Sequence, residues 1–329
     1  MQLLEMIDLS LELALPNETV RAVDGLSLIL GVGETVCLVG ESGSGKSLTA
    51  LSIAGLVPNP PARYTNGKIL LEGKDVRQMS KSELRKVRGS VVGYVFQDPS
   101  ASLNPVISIG RQIKESLKLH RPQLATDEEA ARLLSLVGIS VHESRLREYP
   151  HQLSGGMQQR VMIAMALASE PKLLIADEPT SALDVTVQAQ ILDLLRDLKD
   201  KLRMSMLLIT HNLGIVSDIA DRVAVMYAGQ IVESVPAKTL LRRPLHPYTQ
   251  ALIGSVPRSG SKNERLSAIP GQVPRLGAYP QGCRFHPRCP RAQSDCAVKE
   301  PQLAEVEPDH WVRCPLWNLN SRNTESSSA

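Results

Sequence analysis

The eight residues GESGSGKS, at positions 40–47, are the part of this chain most able to do chemistry. The pattern Gly-x-x-x-x-Gly-Lys-Ser curls the backbone so that successive N–H groups point at phosphate oxygens. Lys46 can then reach the β- and γ-phosphates of a nucleoside triphosphate, and the Ser47 hydroxyl can ligate Mg2+. A helix beginning after Lys46 would add the positive end of its dipole. Such a loop needs a strand before it and a helix behind it. Residues 35–39 are a short apolar run leading into the loop, and residues 47–56 read as a helix stopped by Pro58. A glycine-rich turn with a chance lysine would account for the glycines but not for this setting.

Asp177 and Glu178 end a second apolar run, residues 172–176. Acids at the end of a buried strand are costly unless they serve a charge. Here Asp177 would hold Mg2+ and Glu178 would polarise an attacking water. An N-cap would explain one such acid but not two beside a phosphate-binding loop. LSGGMQQR, at residues 153–160, starts with a serine suited to an N-cap. Its two glycines weaken a helix, and they suit close backbone approach to a phosphate.

In this order the three motifs resemble the ATPase of an ATP-binding cassette (ABC) transporter over roughly residues 1–255. The LSGGMQQR segment resembles that family's signature sequence. The resemblance implies that Ser154, Gly155, Gly156 and Gln158 face nucleotide held by an opposing subunit, with Asp184 of the D-loop beside them. It implies that Gln97 is the Q-loop glutamine, touching Mg2+ and water and coupling to a membrane partner, and that His211 is the switch histidine on the γ-phosphate. ATP and Mg2+ would be held by Gly40, Ser42, Gly43, Gly45, Lys46, Ser47, Thr49, Gln97 and Asp177. Glu178, His211 and Gln97 would be catalytic. The sequence departs from the family pattern at two places. The family usually places an aromatic ring near the end of the first strand to stack on adenine, and here Leu13 stands in that region. Asn212 follows His211, where relatives commonly have Asp.

Composition sets the outer limits. The chain has 329 residues, 43% hydrophobic and 22% charged, enough for one large domain and an appendage. A net charge of +3 without a basic block, and 3% aromatics, argue against a nucleic-acid partner. No apolar run approaches the ~20 residues needed to span a bilayer. The N-terminus lacks a basic secretory leader, so a cytoplasmic location is expected.

Alternating strand and helix patterns predict an α/β fold with a mostly parallel sheet. An antiparallel β-part at the N-terminus, read at residues 6–13 and 20–30, and a helical subdomain at about 98–160 accompany it. Thr126 and Glu129 form a capping-box pattern before the helix at residues 130–137. Domain limits are expected at 1–256 for the nucleotide-binding part and 257–317 for a loop-rich, cysteine-containing appendage. A disordered tail is expected at 318–329.

The tail narrows the resemblance. RPLHPYTQAL at residues 243–252 and GCRFHPRCP at 282–290 resemble segments of oligopeptide and dipeptide importer ATPases. Cys283, Cys289, Cys296 and Cys314 are spaced C-x5-C-x6-C-x17-C. Four thiolates suit zinc or an iron–sulfur cluster equally by count, and the resemblance implies a [4Fe-4S] cluster. Cys37, on the strand before the loop, reads as a buried small hydrophobe.

With a single phosphate loop and a single signature, the chain cannot complete a composite site alone. The resemblance implies a second ABC ATPase, commonly a different subunit, so a heterodimer. It also implies two membrane permeases and an extracytoplasmic substrate-binding protein, with the chain peripheral on the cytoplasmic face of the inner membrane. ATP would close the ATPase pair, hydrolysis would reopen it, and peptides would be imported. Two rival readings remain at this stage: a soluble ABC protein of DNA repair or translation, and an iron–sulfur redox sensor carrying an ATPase.

Overall fold

The computed structural model describes residues 1–16, 18–140, 144–181, 183–255 and 269–317. The expected domain limit at 256/257 and the expected disordered tail lie outside the described residues. Two long strands, β1 (Gln2–Ala14) and β2 (Thr19–Gly31), open the chain as an antiparallel pair. Next, β3 (Thr35–Val39) feeds the glycine-rich loop and α1 (Lys46–Ile53). Strands β4 (Ala62–Leu71) and β5 (Lys74–Asp75), helix α2 (Lys81–Ser90) and strand β6 (Val92–Val95) follow. A helical stretch comprises α3 (Pro99–Ser102), α4 (Ile109–His120), α5 (Asp127–Leu136) and α6 (Gly155–Leu167). The chain then runs through β7 (Leu173–Asp177), α7 (Val185–Leu202), β8 (Ser205–Thr210), α8 (Val216–Ile219), β9 (Arg222–Tyr227) and β10 (Gln230–Pro236). Helices α9 (Ala237–Arg242) and α10 (Pro247–Gly254) precede a final hairpin, β11 (Ala304–Glu307) and β12 (His310–Val312).

The small sheet has the order β2-β1-β4-β5 and the large one β11-β12-β10-β9-β3-β8-β7-β6. Strands β9, β3, β8, β7 and β6 are parallel neighbours. Strands β3, β7 and β8 are buried along their whole length, as a parallel sheet covered on both faces requires. Their side chains alternate between faces. Val36, Leu38, Leu173, Ile175, Leu207 and Ile209 join a core with α1 and the antiparallel strands. Cys37, Val39, Leu174, Ala176, Met206 and Leu208 join another with α4 to α7. Each such leucine or isoleucine contributes about 1.5–3 kcal/mol by leaving water. Cys37 is fully buried, as its strand position predicted.

Helix α5 is capped by the Thr126 hydroxyl, which accepts from the Glu129 N–H at 3.3 Å. The Glu129 carboxylate pairs with Arg132 at 2.7 Å, so its side chain is engaged away from the capping box. The C-terminal region has more core than its composition suggested. Strand β12 pairs with β10 and extends the large sheet. Phe285 is buried against Tyr227 and Tyr248, with ring centroids 5.3 Å away in each case. Among the described residues no helix is long and apolar enough to cross a membrane.

Candidate nucleotide site

The carboxyl ends of β3, β7 and β8 converge on one place, where ligands of parallel α/β sheets bind. The loop between β3 and α1 is wedged tightly against β9. A Cβ on Gly40 would lie 2.1 Å from the Met226 carbonyl oxygen, so only glycine fits there. Gly45, at φ 103°, is the left-handed turn that starts α1. Lys46 is buried, and its Nζ donates to the carbonyls of Gly40 (2.9 Å) and Glu41 (3.0 Å). Burial lowers the Lys46 pKa, while Glu178, Asp177 and Glu41 oppose that shift.

Glu178 gathers the remaining groups. Its Oε1 is 3.8 Å from Lys46 Nζ, and its Oε2 accepts from Gln97 Nε2 at 3.2 Å and faces His211 Nδ1 at 3.3 Å. Its backbone is left-handed at φ 45°, uncommon for a residue with a side chain. The Glu178 N–H donates to the Ile209 carbonyl at 2.9 Å, which holds that conformation on β8. Asp177 accepts from Ser47 Oγ at 3.1 Å and from Tyr94 OH at 3.0 Å. Burial raises the Asp177 pKa, and the hydrogen bonds from Tyr94 and Ser47 pull it back. An oxygen pair from Ser47 and Asp177 beside a phosphate-binding loop suits Mg2+, a hard ion that takes few protein ligands and completes its shell with phosphate and water.

One site residue lay outside the sequence reading, and one is placed differently from it. Tyr94, on β6, holds the second oxygen of Asp177; the only signal was a polar tip within a buried strand. Thr49, expected to face nucleotide, is fully buried, and its hydroxyl donates to the Gly45 carbonyl at 3.0 Å. Leu48 lines the cavity in its place, together with Ser42, Gly43, Gly45, Lys46, Ser47, Gln97 and Glu178.

The signature residues form a separate group at the start of α6. Ser154 caps the helix by accepting from the Met157 N–H at 3.4 Å. Ser154 and Gly155 are exposed. Gly156 is set by packing, since a Cβ there would lie 2.7 Å from Val187 on α7. Gln158 donates to the carbonyls of Pro150 (2.9 Å) and Leu153 (3.2 Å) and accepts from Ser100 (3.2 Å). Asp184, exposed, caps α7 through the Val187 N–H at 3.0 Å. The cavity holding Lys46 and Glu178 is lined by none of these.

Comparison with known proteins decides the family. The ABC transporter family profile matches residues 23–181, and that of the oligopeptide/dipeptide transporter C-terminal region matches residues 232–296. The oligopeptide transport ATP-binding protein AppD of Bacillus subtilis is 49% identical over 317 residues, covering 96% of this chain and 97% of AppD. OppD of the same organism is 46% identical over 331 residues, covering 100% of this chain and 92% of OppD. The chain belongs to the ATP-binding subunits of oligopeptide-type ABC transporters. Among solved structures, the dimeric post-hydrolysis cassette MJ0796 bound to ADP and Pi has a TM-score of 0.63 and 26% identity. It covers 71% of this chain and 98% of that one. The ABC ATPase therefore has the α/β cassette fold and hydrolyses ATP, as the motifs implied.

The four C-terminal cysteines of the ABC ATPase are neighbours. Burial pushes the Cys314 thiol up to about 12, and the charges of Cys283, Cys289 and Cys296 add to that. Backbone N–H groups of Phe285 and His286 at Cys283, of Arg291 at Cys289 and of Leu316 at Cys314 oppose the rise. These amides would stabilise thiolates bound to a metal. Even so, among the described residues no group of three or more His, Cys, Asp or Glu is placed to hold a metal ion. The metal centre expected at these four cysteines is therefore not shown by the structure, which gathers the thiols without closing an ion site among the described residues. Cys296 is buried and Cys283, Cys289 and Cys314 are half-buried.

Proposed function

We propose that this ABC ATPase powers import of peptides or related small solutes across the cytoplasmic membrane. The observation that carries the reading is the division of the site. The phosphate-binding half is a cavity, while the signature half is an exposed helix start outside it. A helix N-terminus presents free N–H groups and a positive dipole end to an anion. A second ATPase, commonly a different subunit, would bring its own helix start to this cavity and receive Ser154, Gly155, Gly156 and Gln158 in return, with Asp184 at the seam.

Within the cavity, Ser42, Gly43, Gly45 and Lys46 hold the phosphates, and Ser47 with Asp177 holds Mg2+. Glu178 orients and polarises the attacking water. Gln97 and His211, both already on Glu178, sense the water and the γ-phosphate. A groove of about 460 Å3 lies beside Gln97, lined by Phe96, Leu103, Met162 and Met165 among others. Two permease subunits would dock a short cytoplasmic segment there, with an extracytoplasmic binding protein delivering solute. Peripheral attachment to the cytoplasmic face of the inner membrane follows from that assembly. Cys283, Cys289, Cys296 and Cys314 would hold an iron–sulfur cluster, to which donor chemistry and the four amide contacts are suited.

The test is purification of the tagged protein from its own membranes in mild detergent under anaerobic conditions. Co-purification of a second ATPase and two multispanning permeases is expected. Recovery of the protein alone, or with nucleic-acid factors, contradicts the transport reading. Iron and acid-labile sulfide in the same sample, lost on Cys289→Ser, would support the cluster, and a metal content unaffected by Cys289→Ser contradicts it.

A further inference from the structure

The nucleotide cavity, about 640 Å3, has two chemically different ends. Lys46, Gln97 and Glu178, with Ser42, Gly43, Gly45 and Ser47 of the glycine-rich loop, mark the phosphate end. The remaining lining is Ala22 from β2, Leu48 from α1 and four consecutive residues of the C-terminal region, Val273, Pro274, Arg275 and Leu276. No motif pointed to these four.

Their position is fixed from both sides. Leu276 packs on the core that also carries Leu13, the half-buried residue standing where an aromatic ring would meet the base. Gly277, at φ 88°, abuts β2 so closely that a Cβ would lie 2.5 Å from Val20 Cγ1. The Ala278 N–H donates to the Arg275 carbonyl at 2.9 Å, closing a turn over which the Arg275 side chain is exposed. Upstream, the Pro270 carbonyl accepts from Arg288 Nε at 2.8 Å. Arg288 then grips Glu41 of the phosphate-binding loop with two hydrogen bonds, at 2.8 and 3.0 Å. The wall is thereby tied both to the loop and to the first hairpin, between which a base has to sit.

We propose that residues 273–276 form the base-binding wall of the nucleotide site and replace the aromatic ring absent at Leu13. Val273, Pro274 and Leu276 supply the apolar flank, and the planar guanidinium of Arg275 lies against the purine face. Guanidinium groups are weakly hydrated and stack on π-systems, which an ammonium does less well. The inference rests on the nucleotide-site reading and adds to it a part for the C-terminal region in recognising the base.

The experiment compares equilibrium binding of MgATP with that of magnesium tripolyphosphate, which has the phosphates and no base, on the full-length protein. Arg275→Ala is expected to weaken MgATP about tenfold and to leave tripolyphosphate within about twofold. Arg275→Lys is expected to weaken MgATP as well, and Leu13→Tyr added to Arg275→Ala is expected to restore most of the affinity. Arg275 is exposed, so its removal leaves the core intact. Unchanged MgATP affinity in Arg275→Ala, or an equal loss for tripolyphosphate, overturns the assignment while leaving the phosphate-binding loop standing. Failure of the unaltered protein to bind either probe would overturn both readings.

Discussion

Glu178 meets Lys46, Gln97 and His211 at once, through two carboxylate oxygens. Replacing it with Gln keeps the shape and removes the base. ATP binding should persist in Glu178→Gln while turnover falls at least about a hundredfold, the scale of a lost general base; a variant with normal turnover would contradict the role. Tyr94 acts one step further out. Removing its hydroxyl in Tyr94→Phe leaves Asp177 buried with one fewer donor, which pushes the Asp177 pKa further up. A carboxylate that must be ionised to hold Mg2+ is lost as pH falls through its pKa. The acidic limb of the ATPase pH profile should therefore move to higher pH in Tyr94→Phe, and an unmoved limb would show that Tyr94 does not tune Asp177. His246 gives a stability counterpart. It is fully enclosed, its ring accepts from the Tyr248 N–H at 3.0 Å, and burial holds its pKa down at about 4. The unfolded chain then binds the extra proton between pH 6.5 and 4, so stability falls as pH drops through that window, by on the order of 3 kcal/mol at most. Chemical denaturation of the protein and of His246→Asn at pH 7 and pH 5 measures this, and an equal loss in both would rule His246 out as the source. The groups on the loop and at the end of β7 were legible because each motif is local in sequence. Tyr94 was not, because its partner lies 83 positions away and a single tyrosine forms no motif. Thr49 was misread because a helical hydroxyl beside a motif can turn back onto the carbonyl four residues earlier.

At the scale of elements, two parallel strands declared themselves as continuous apolar runs: residues 35–39 coincide with β3, and residues 172–176 miss β7 by one. Short pairings did not. Strand β12 is only His310, Trp311 and Val312, too brief for an alternating pattern to stand out, and its partner β10 ends many residues earlier. The contact of α6 with α7 was equally hidden. Gly156 read as a phosphate-facing residue, yet the structure also gives it a packing reason, the 2.7 Å that would separate its Cβ from Val187. Gly156→Ala should cost about 1–3 kcal/mol through that overlap. A double-mutant cycle with Val187→Ala, followed by thermal melting, should show the penalty largely relieved. Additive losses would mean that α6 and α7 do not press on each other at this point.

At the scale of the whole molecule, the C-terminal region is part of the large sheet. Glu233 on β10 is fully buried and accepts from the N–H groups of Leu245 (2.8 Å) and His246 (2.9 Å), with His310 Nε2 of β12 at 2.7 Å. Truncation before β11 removes His310 and bares the edge of β10. It should lower the melting temperature and promote aggregation, since an unpaired edge recruits other chains. A truncated protein with the original melting temperature would mean that the hairpin is an independent addition.

The Arg288–Glu41 pair joins residues 247 positions apart. During synthesis the phosphate-binding loop leaves the ribosome among the first segments, long before its guanidinium partner has been translated. The loop acquires its finished setting only when the chain is nearly complete. A chain halted partway would carry the glycine-rich motif and still lack the clamp that seats it. Contacts of such high sequence separation form late, so this clamp is among the last features that the growing polypeptide gains.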